Sequence, residues 1–267
     1  MKATRDHGFA LLVVLWSLVL IGLIITQILA SGRTALALAG NLRDAAEARA
    51  RADGAVNEAL FHTLSNGTDY WPPDGSLHVL SGSGVIISLR VQSLADKINP
   101  NLASTGLLAG LLQAVGASPE QAKQLATAII QWRSPAASRQ EEAARQAVYR
   151  QTGLPYGPPG HPFADLSELG AVIGMPPPLL AKALPHMSLY QSDDPDPTLA
   201  DPVVRRALTL AGQAGSNASV YDGTIPVVSI QAEVDAPGHI AVFRTAIVSL
   251  TGADAPEPFH ILSINDR

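Results

Sequence analysis

From Phe9 to Ala30 the chain carries no charged side chain, and Leu, Val and Ile make up most of the run. No other feature restricts the fold so severely. Roughly 20 apolar residues cross a bilayer as a helix, so the segment is long enough for a membrane span and exceeds the roughly 7–15 apolar residues of an ordinary secretory signal. Lys2 and Arg5 precede it, partly offset by Asp6. That bias favours a cytoplasmic N-terminus and puts everything beyond Arg33 outside the cytoplasm. A second outcome stays open, because Ala37-Leu38-Ala39 before Gly40 is an A-x-A-like site where a secreted chain would be released.

The run begins abruptly. Gly8 closes a short polar leader and Phe9 opens the apolar segment. This junction resembles the type IV prepilin signal, and the resemblance implies cleavage after Gly8 by a prepilin peptidase and methylation of the new N-terminal Phe9. Five places into the mature chain that family normally has glutamate; here the residue is Val13. An ionised amine held in lipid or in a fibre core costs about 2.5–3.5 kcal/mol unless paired, and in a growing fibre a neighbour's glutamate is the partner. A subunit with Val13 cannot serve a neighbour in this way, so it suits the tip, where no neighbour requires it.

After the span, Leu38, Leu42, Ala45, Ala52, Val56, Leu60 and Leu64 recur at close to helical spacing. Span and stripe join into one helix that stops at Ser65-Asn66-Gly67. Gly22, Gly32, Gly40 and Gly54 each cost about 1 kcal/mol relative to alanine, so kinks or local melting are expected there. A turn-rich stretch, 69–75, leads to an alternating strand at 85–93, with Val85, Ile87, Leu89 and Val91 on one face. Three more strands are expected much later, at 227–234, 240–250 and 259–264. One strand so distant from the rest implies an insertion, placed at about 96–215. It reads as helical: Ser118 to Gln121 and Ser138 to Glu141 form capping boxes before helices at 122–132 and 143–152, with further helices at 107–115, 165–173, 179–184 and 202–211.

Within this frame Lys97-Ile-Asn-Pro-Asn101, Leu111-Leu112, Leu125 through Trp132, Pro162-Phe163, Leu166 through Leu169, Val172 through Met175 and Leu184 through Tyr190 stand in a fixed order, followed by Arg244 and by Phe259 through Leu262. The order resembles the general secretion pathway protein K family, the large minor pseudopilins of type II secretion, which also lack the pilin glutamate. The resemblance implies an α+β pseudopilin fold: a long N-terminal helix, transmembrane in its first half, packed on a small antiparallel sheet, with a large all-helical domain inserted between strands. The expected organisation is a leader (1–8), the transmembrane half of the helix (9–32), its soluble half (33–66), an α+β domain (67–95 and 216–267) and an inserted helical, SAM-like domain (96–215). The resemblance further implies a subunit at the tip of the pseudopilus, nucleating and capping the fibre that promotes export of folded proteins. It would be a single-pass inner-membrane protein with its C-terminal domain in the periplasm. Its partners would be other minor pseudopilins, the major pseudopilin fibre and the prepilin peptidase. Some family members bind calcium through acids after the tryptophan. Here Gln131-Trp132-Arg133-Ser134-Pro135 lacks those aspartates and calcium wants about six to eight oxygens, usually including several carboxylates, so no metal and no cofactor is expected. Asp193, Asp194, Asp196 and Asp201 read as a solvated loop.

With 267 residues and 47% hydrophobic content the chain can bury a sizeable core. It has no cysteine, which excludes disulfides, thiolate metal sites and cysteine catalysis. A formal net charge of −5 argues against general affinity for nucleic acid. No G-x-S-x-G, P-loop or H-E-x-x-H occurs, the histidines at 62, 78, 161, 186, 239 and 260 are scattered, and Ser81-Gly-Ser-Gly84 precedes a strand rather than a helix. No enzyme is expected, although an exported enzyme on an uncleaved anchor stays open. The alternative from another class is a membrane-anchored helix-hairpin-helix DNA-binding protein of the competence type. Its hairpin would be Val115-Gly116-Ala117-Ser118-Pro119, with Lys97, Lys123 and Arg133 nearby, but the second glycine is missing and a proline removes an N–H.

Overall fold

Asp6–Leu64, 59 residues, form a single α-helix, α1. The computed structural model describes residues 6–65, 67–82, 84–213, 226–236, 240–252 and 255–266, without the side chains of 6–10, 28–31, 33–34, 236 and 240. The expected interruption of α1 does not occur: the helix runs unbroken through Gly22, Gly32, Gly40 and Gly54. About 1 kcal/mol per glycine is outweighed because propagation adds one hydrogen bond for each residue fixed, and leucine and alanine, both strong helix formers, are the commonest residues of α1.

The expected stripe is only half buried. Ala48, Ala52, Ala55, Val56, Ala59 and Leu60 are buried, whereas Leu38 and Leu42 are 58% and 63% exposed. Strand length explains the difference. Ten residues at about 3.3 Å each span about 33 Å, which covers at most about 22 residues of a helix rising 1.5 Å per residue. The sheet therefore reaches back along α1 only to about residue 43.

The sheet has five strands in the order β1 (Asp74–Gly82), β2 (Val85–Ser93), β3 (Val227–Ala236), β4 (Ile240–Leu250) and β5 (Phe259–Asp266). All neighbouring pairs are antiparallel. The strand β1 went unrecognised in the sequence, where 69–75 reads as turn and 81–84 as a loop. As an edge strand it leaves Leu77 and Val79 exposed, so its burial pattern has no clean alternation. Gly82 pairs with Val85, and Gly84 adopts φ +74 as a tight hairpin requires. On the face toward α1, Leu89, Val91, Val228, Ile230, Ala232, Ala246, Val248 and Leu250 pack against Val56, Ala59 and Leu60. Val85 and Val234 pack against Ala48 and Ala52.

Between β2 and β3 the chain leaves the sheet and builds α2 (Thr105–Ala114), α3 (Pro119–Arg133), α4 (Arg139–Gln151), α5 (Pro177–Ala183) and α6 (Pro202–Leu210). Ser104, Ser118 and Ser138 cap α2, α3 and α4 by accepting the amides of Leu107, Gln121 and Glu141. The helix expected at 165–173 is instead a 3-10 segment, Leu166–Ala171, opened by a complete capping box between Asp165 and Glu168. Leu107, Leu108, Leu111, Leu112, Ile129, Leu169 and Val204 are sealed in a core separate from that of the sheet. Gly110 permits this packing: a Cβ there would lie 2.4 Å from the Ala207 carbonyl oxygen, so α2 and α6 meet backbone to backbone.

Candidate functional site

The outer length of α1 offers a continuous apolar surface. Side chains from Leu11 to Ile25 are exposed, and Leu36, Leu38 and Leu42 extend that character beyond them. The hydroxyls in this stretch need no outside partner, because Ser17 Oγ donates to the Val13 carbonyl and Thr26 Oγ1 to the Gly22 carbonyl, both at 2.8 Å. Val13 itself is half exposed on this surface. Gly8 and Phe9 lie in the first turns of α1, and their surroundings fall outside the described side chains. Among the described residues, no helix is long and apolar enough to cross a membrane. The side chains described in the apolar run reach from 11 to 27, about 25 Å at 1.5 Å per residue, against roughly 30 Å of hydrocarbon.

The inner length of α1 is fastened to the sheet by a clamp that sequence reading did not find. Arg244, projecting from β4, donates Nη2 to Asp53 of α1 at 2.7 Å and Nη1 to Asp266 of β5. The hydrogen bond to Asp266 is the largest cause holding the guanidinium above its usual range; burial opposes it, and the attraction of Asp53 and Asp266 adds to it. One side chain thus ties helix, inner strand and edge strand. At the end of α1, Trp71 lies between two imidazoles, 4.2 Å from the His62 ring and 3.9 Å from the His78 ring, with planes within 9° and 5° of parallel. His62 Nδ1 donates to the Asp69 carbonyl at 2.7 Å. These two histidines therefore meet as a packing device.

Two asparagines organise the entry to the helical unit. Asn99 Nδ2 donates to the carbonyls of Leu189 (3.0 Å) and Gln191 (2.6 Å), while Asn101 exchanges bonds with the backbone of Phe163 through both Nδ2 and Oδ1. The Lys97–Asn101 block therefore joins three segments far apart in the chain. Trp132 packs parallel to Phe163 at 6.2 Å, with Tyr149 and Tyr156 beside it. Burial pushes the Tyr149 hydroxyl up, although it accepts the Ile173 amide at 3.1 Å.

The polar side chains singled out in the sequence are taken up in local bonds. His186 Nδ1 lies 2.6 Å from Asp201 Oδ2, but Asp201 Oδ1 already accepts the amides of Val203 and Val204 as the cap of α6. Asp196 caps Thr198 through both its amide and its hydroxyl, and Asp193 and Asp194 accept from Ser192 and Gln213. Among the described residues no cluster of three or more His, Asp or Glu could hold a metal ion. His239 lies outside the described residues. Of the cations near the Val115–Pro119 hairpin, Lys97 pairs with Asp96 at 2.9 Å and Arg133 donates to the carbonyls of Pro100 and Ala103. Only the exposed Lys123 remains of the three that the DNA-binding alternative invoked.

Residues 88–192 match the family model described as type II secretion system (T2SS), protein K. The fold is similar to a chain in the crystal structure of the GspK-GspI-GspJ complex from the enterotoxigenic Escherichia coli type 2 secretion system, with a TM-score of 0.61 and 15% sequence identity. The similarity covers 85% of this chain and 97% of that one. No curated protein matches the chain. The resemblance to protein K read from the ordered blocks thus meets a protein K family model across residues 88–192, and the solved chain shares the fold.

Proposed function

We propose that this chain, with a protein K domain across residues 88–192, is the minor pseudopilin that ends the type II secretion pseudopilus. Its action is mechanical. The mature N-terminus sits in the inner membrane, the remainder faces the periplasm, and the helical unit is the oversized head that closes the fibre. The observation carrying this reading is a helical unit inserted between β2 and β3 of a sheet that packs on one long helix, an arrangement similar across 85% of the chain to a solved chain of a pseudopilin complex.

The sequence supports the finer parts. Uncharged residues from Phe9 to Ala30 supply the length of a span, and the in-helix bonds of Ser17 and Thr26 suit a medium without water. Between Asp6 and Asp44 there is no acid at all, so no part of the outer helix offers a carboxylate to a neighbour's amine. A subunit built this way cannot neutralise a neighbour's amine, which suits the end of the fibre, where no neighbour requires it. Its partners are other minor pseudopilins, as in the complex named above, then the major pseudopilin and the prepilin peptidase.

Intact mass and N-terminal sequencing of the membrane-extracted chain test the reading. The expected product begins with methylated Phe9. A start at Gly40 means plain secretion, a start at Met1 means a permanent anchor, and either overturns the proposal. Gly8→Leu should abolish the mature product.

A further inference from the structure

The protein K resemblance implies acids after Trp132 and, in some members, bound calcium; the oxygens present here do not fit that ion. Arg133, the last residue of α3, donates Nη2 to the Ala103 carbonyl at 2.9 Å and Nη1 to the Pro100 carbonyl. Among the described residues no carboxylate forms an ion pair with it. Arg145 of α4 donates Nη1 to the carbonyls of Gln131 (3.0 Å) and Ser134 (2.8 Å), at the exit of the same helix, and Nη2 to Glu141 at 2.6 Å. The other oxygen of Glu141 accepts the Ala137 amide. Main-chain oxygens in the loop after Asn99 and at the α3 exit are thus already met by guanidinium N–H groups. The carboxylate beside them is neutralised by an arginine.

A divalent cation would have to displace these donors and approach fixed positive charge. Calcium takes about six to eight oxygens, usually with several carboxylates, and an arginine remains charged at any ordinary pH. Arg133 is half buried, and burial pulls its guanidinium below the ordinary value without neutralising it. Each guanidinium grips two carbonyls of a segment other than its own, which is the kind of cross-link that a hard cation supplies elsewhere.

We infer that Arg133 and Arg145 stand in for a divalent cation, fastening the Asn99–Ala103 loop, the α3 exit and α4, so that the helical unit holds its shape without calcium. The tie connects the loop that enters the unit to the aromatic cluster around Trp132, whose carbonyl accepts the Gly160 amide at 3.0 Å. It therefore acts at the point where the helical unit leaves the sheet.

Thermal unfolding of the full chain in detergent, followed by near-UV circular dichroism, tests the inference. Excess calcium or a chelator should move the midpoint of the unaltered chain by less than about 1 °C. Arg133→Gln should lower it by about 5 °C or more, and calcium should not restore it. Arg145→Gln should act in the same direction. A calcium-dependent rise of several degrees in the unaltered chain overturns the proposal, as does an Arg133→Gln midpoint equal to that of the unaltered chain. Should Arg133→Gln fail to fold, Arg133→Lys keeps the charge without the fork: an intermediate midpoint supports the arginine tie, and a midpoint restored by calcium refutes it.

Discussion

Leucines in two helices of this chain have opposite fates. Leu36, Leu38 and Leu42 of α1 are 76%, 58% and 63% exposed, while Leu107, Leu108, Leu111 and Leu112 of α2 are fully buried. Propensity cannot distinguish them, because leucine favours a helix equally in both. What differs is the company. Helix α2 meets α3 and α6 within the one large insertion, and Gly110 lets the backbones of α2 and α6 touch. The outer part of α1 extends past the reach of the sheet, and its apolar side chains stay exposed among the described residues. The helical unit thus buries its leucines within itself, whereas those of the outer spine remain exposed, and on the function proposed above lipid or neighbouring helices cover them.

Substitutions at three positions probe this contrast, beginning with the largest effect. Leu111→Ala removes a fully buried side chain and should cost about 2–5 kcal/mol in denaturant unfolding. A cost below about 1 kcal/mol means that the α2 core can collapse around the gap and is less tightly built than described. Asp201→Ala should cost about 1 kcal/mol through loss of the α6 cap, whereas Asp201→Asn, which keeps an acceptor, should cost less.

Asp201 also carries a pH signature. Burial acts to raise its carboxyl, but the amides of Val204 and Val203 and the His186 ring outweigh burial and hold it below the ordinary value. A depressed carboxyl contributes stability that is fully present above the unfolded value near ~3.9 and disappears as pH falls through the folded value. The gap between the unaltered chain and Asp201→Ala should therefore close on acidification from about pH 6 to below pH 3. A gap that persists at the acid end removes Asp201 from the account of the helical unit.

The smallest expected effect on stability is that of Leu38→Ala, within about 0.5 kcal/mol for the isolated chain. Its consequence should appear elsewhere, as weaker co-purification with partner minor pseudopilins from membranes. If Leu38→Ala destabilises the isolated chain as strongly as Leu111→Ala, the outer spine has a partner within its own chain and the contrast fails.

Local signals were legible. Ser118 and Ser138 cap their helices because a hydroxyl and an amide three residues on are close whatever the tertiary structure does. Strands β2 to β4 showed in the sequence because each has an apolar side packed on α1, and β5 showed by its apolar residues Phe259, Ile261, Leu262 and Ile264, although the last three are exposed. Strand β1 did not, since an edge strand with Leu77 and Val79 in solvent lacks the alternation on which such reading depends. The Asp165–Glu168 box was present as residue types, but whether the turn after it became α or 3-10 was decided by its packing against Leu180 and the core around Leu169.

The sequence alone determined the serine caps of α2, α3 and α4, the apolar run behind Gly8 and the missing acid at Val13, because each depends on neighbours within a few residues. Tertiary structure alone decided which leucines are buried, and it brought Arg244 to Asp53 and Asp266 and Arg133 to the carbonyls of Pro100 and Ala103. Those partners lie tens to hundreds of residues apart or on different elements, and no periodicity encodes a meeting that exists only once the sheet has closed on α1 and the insertion has folded upon itself.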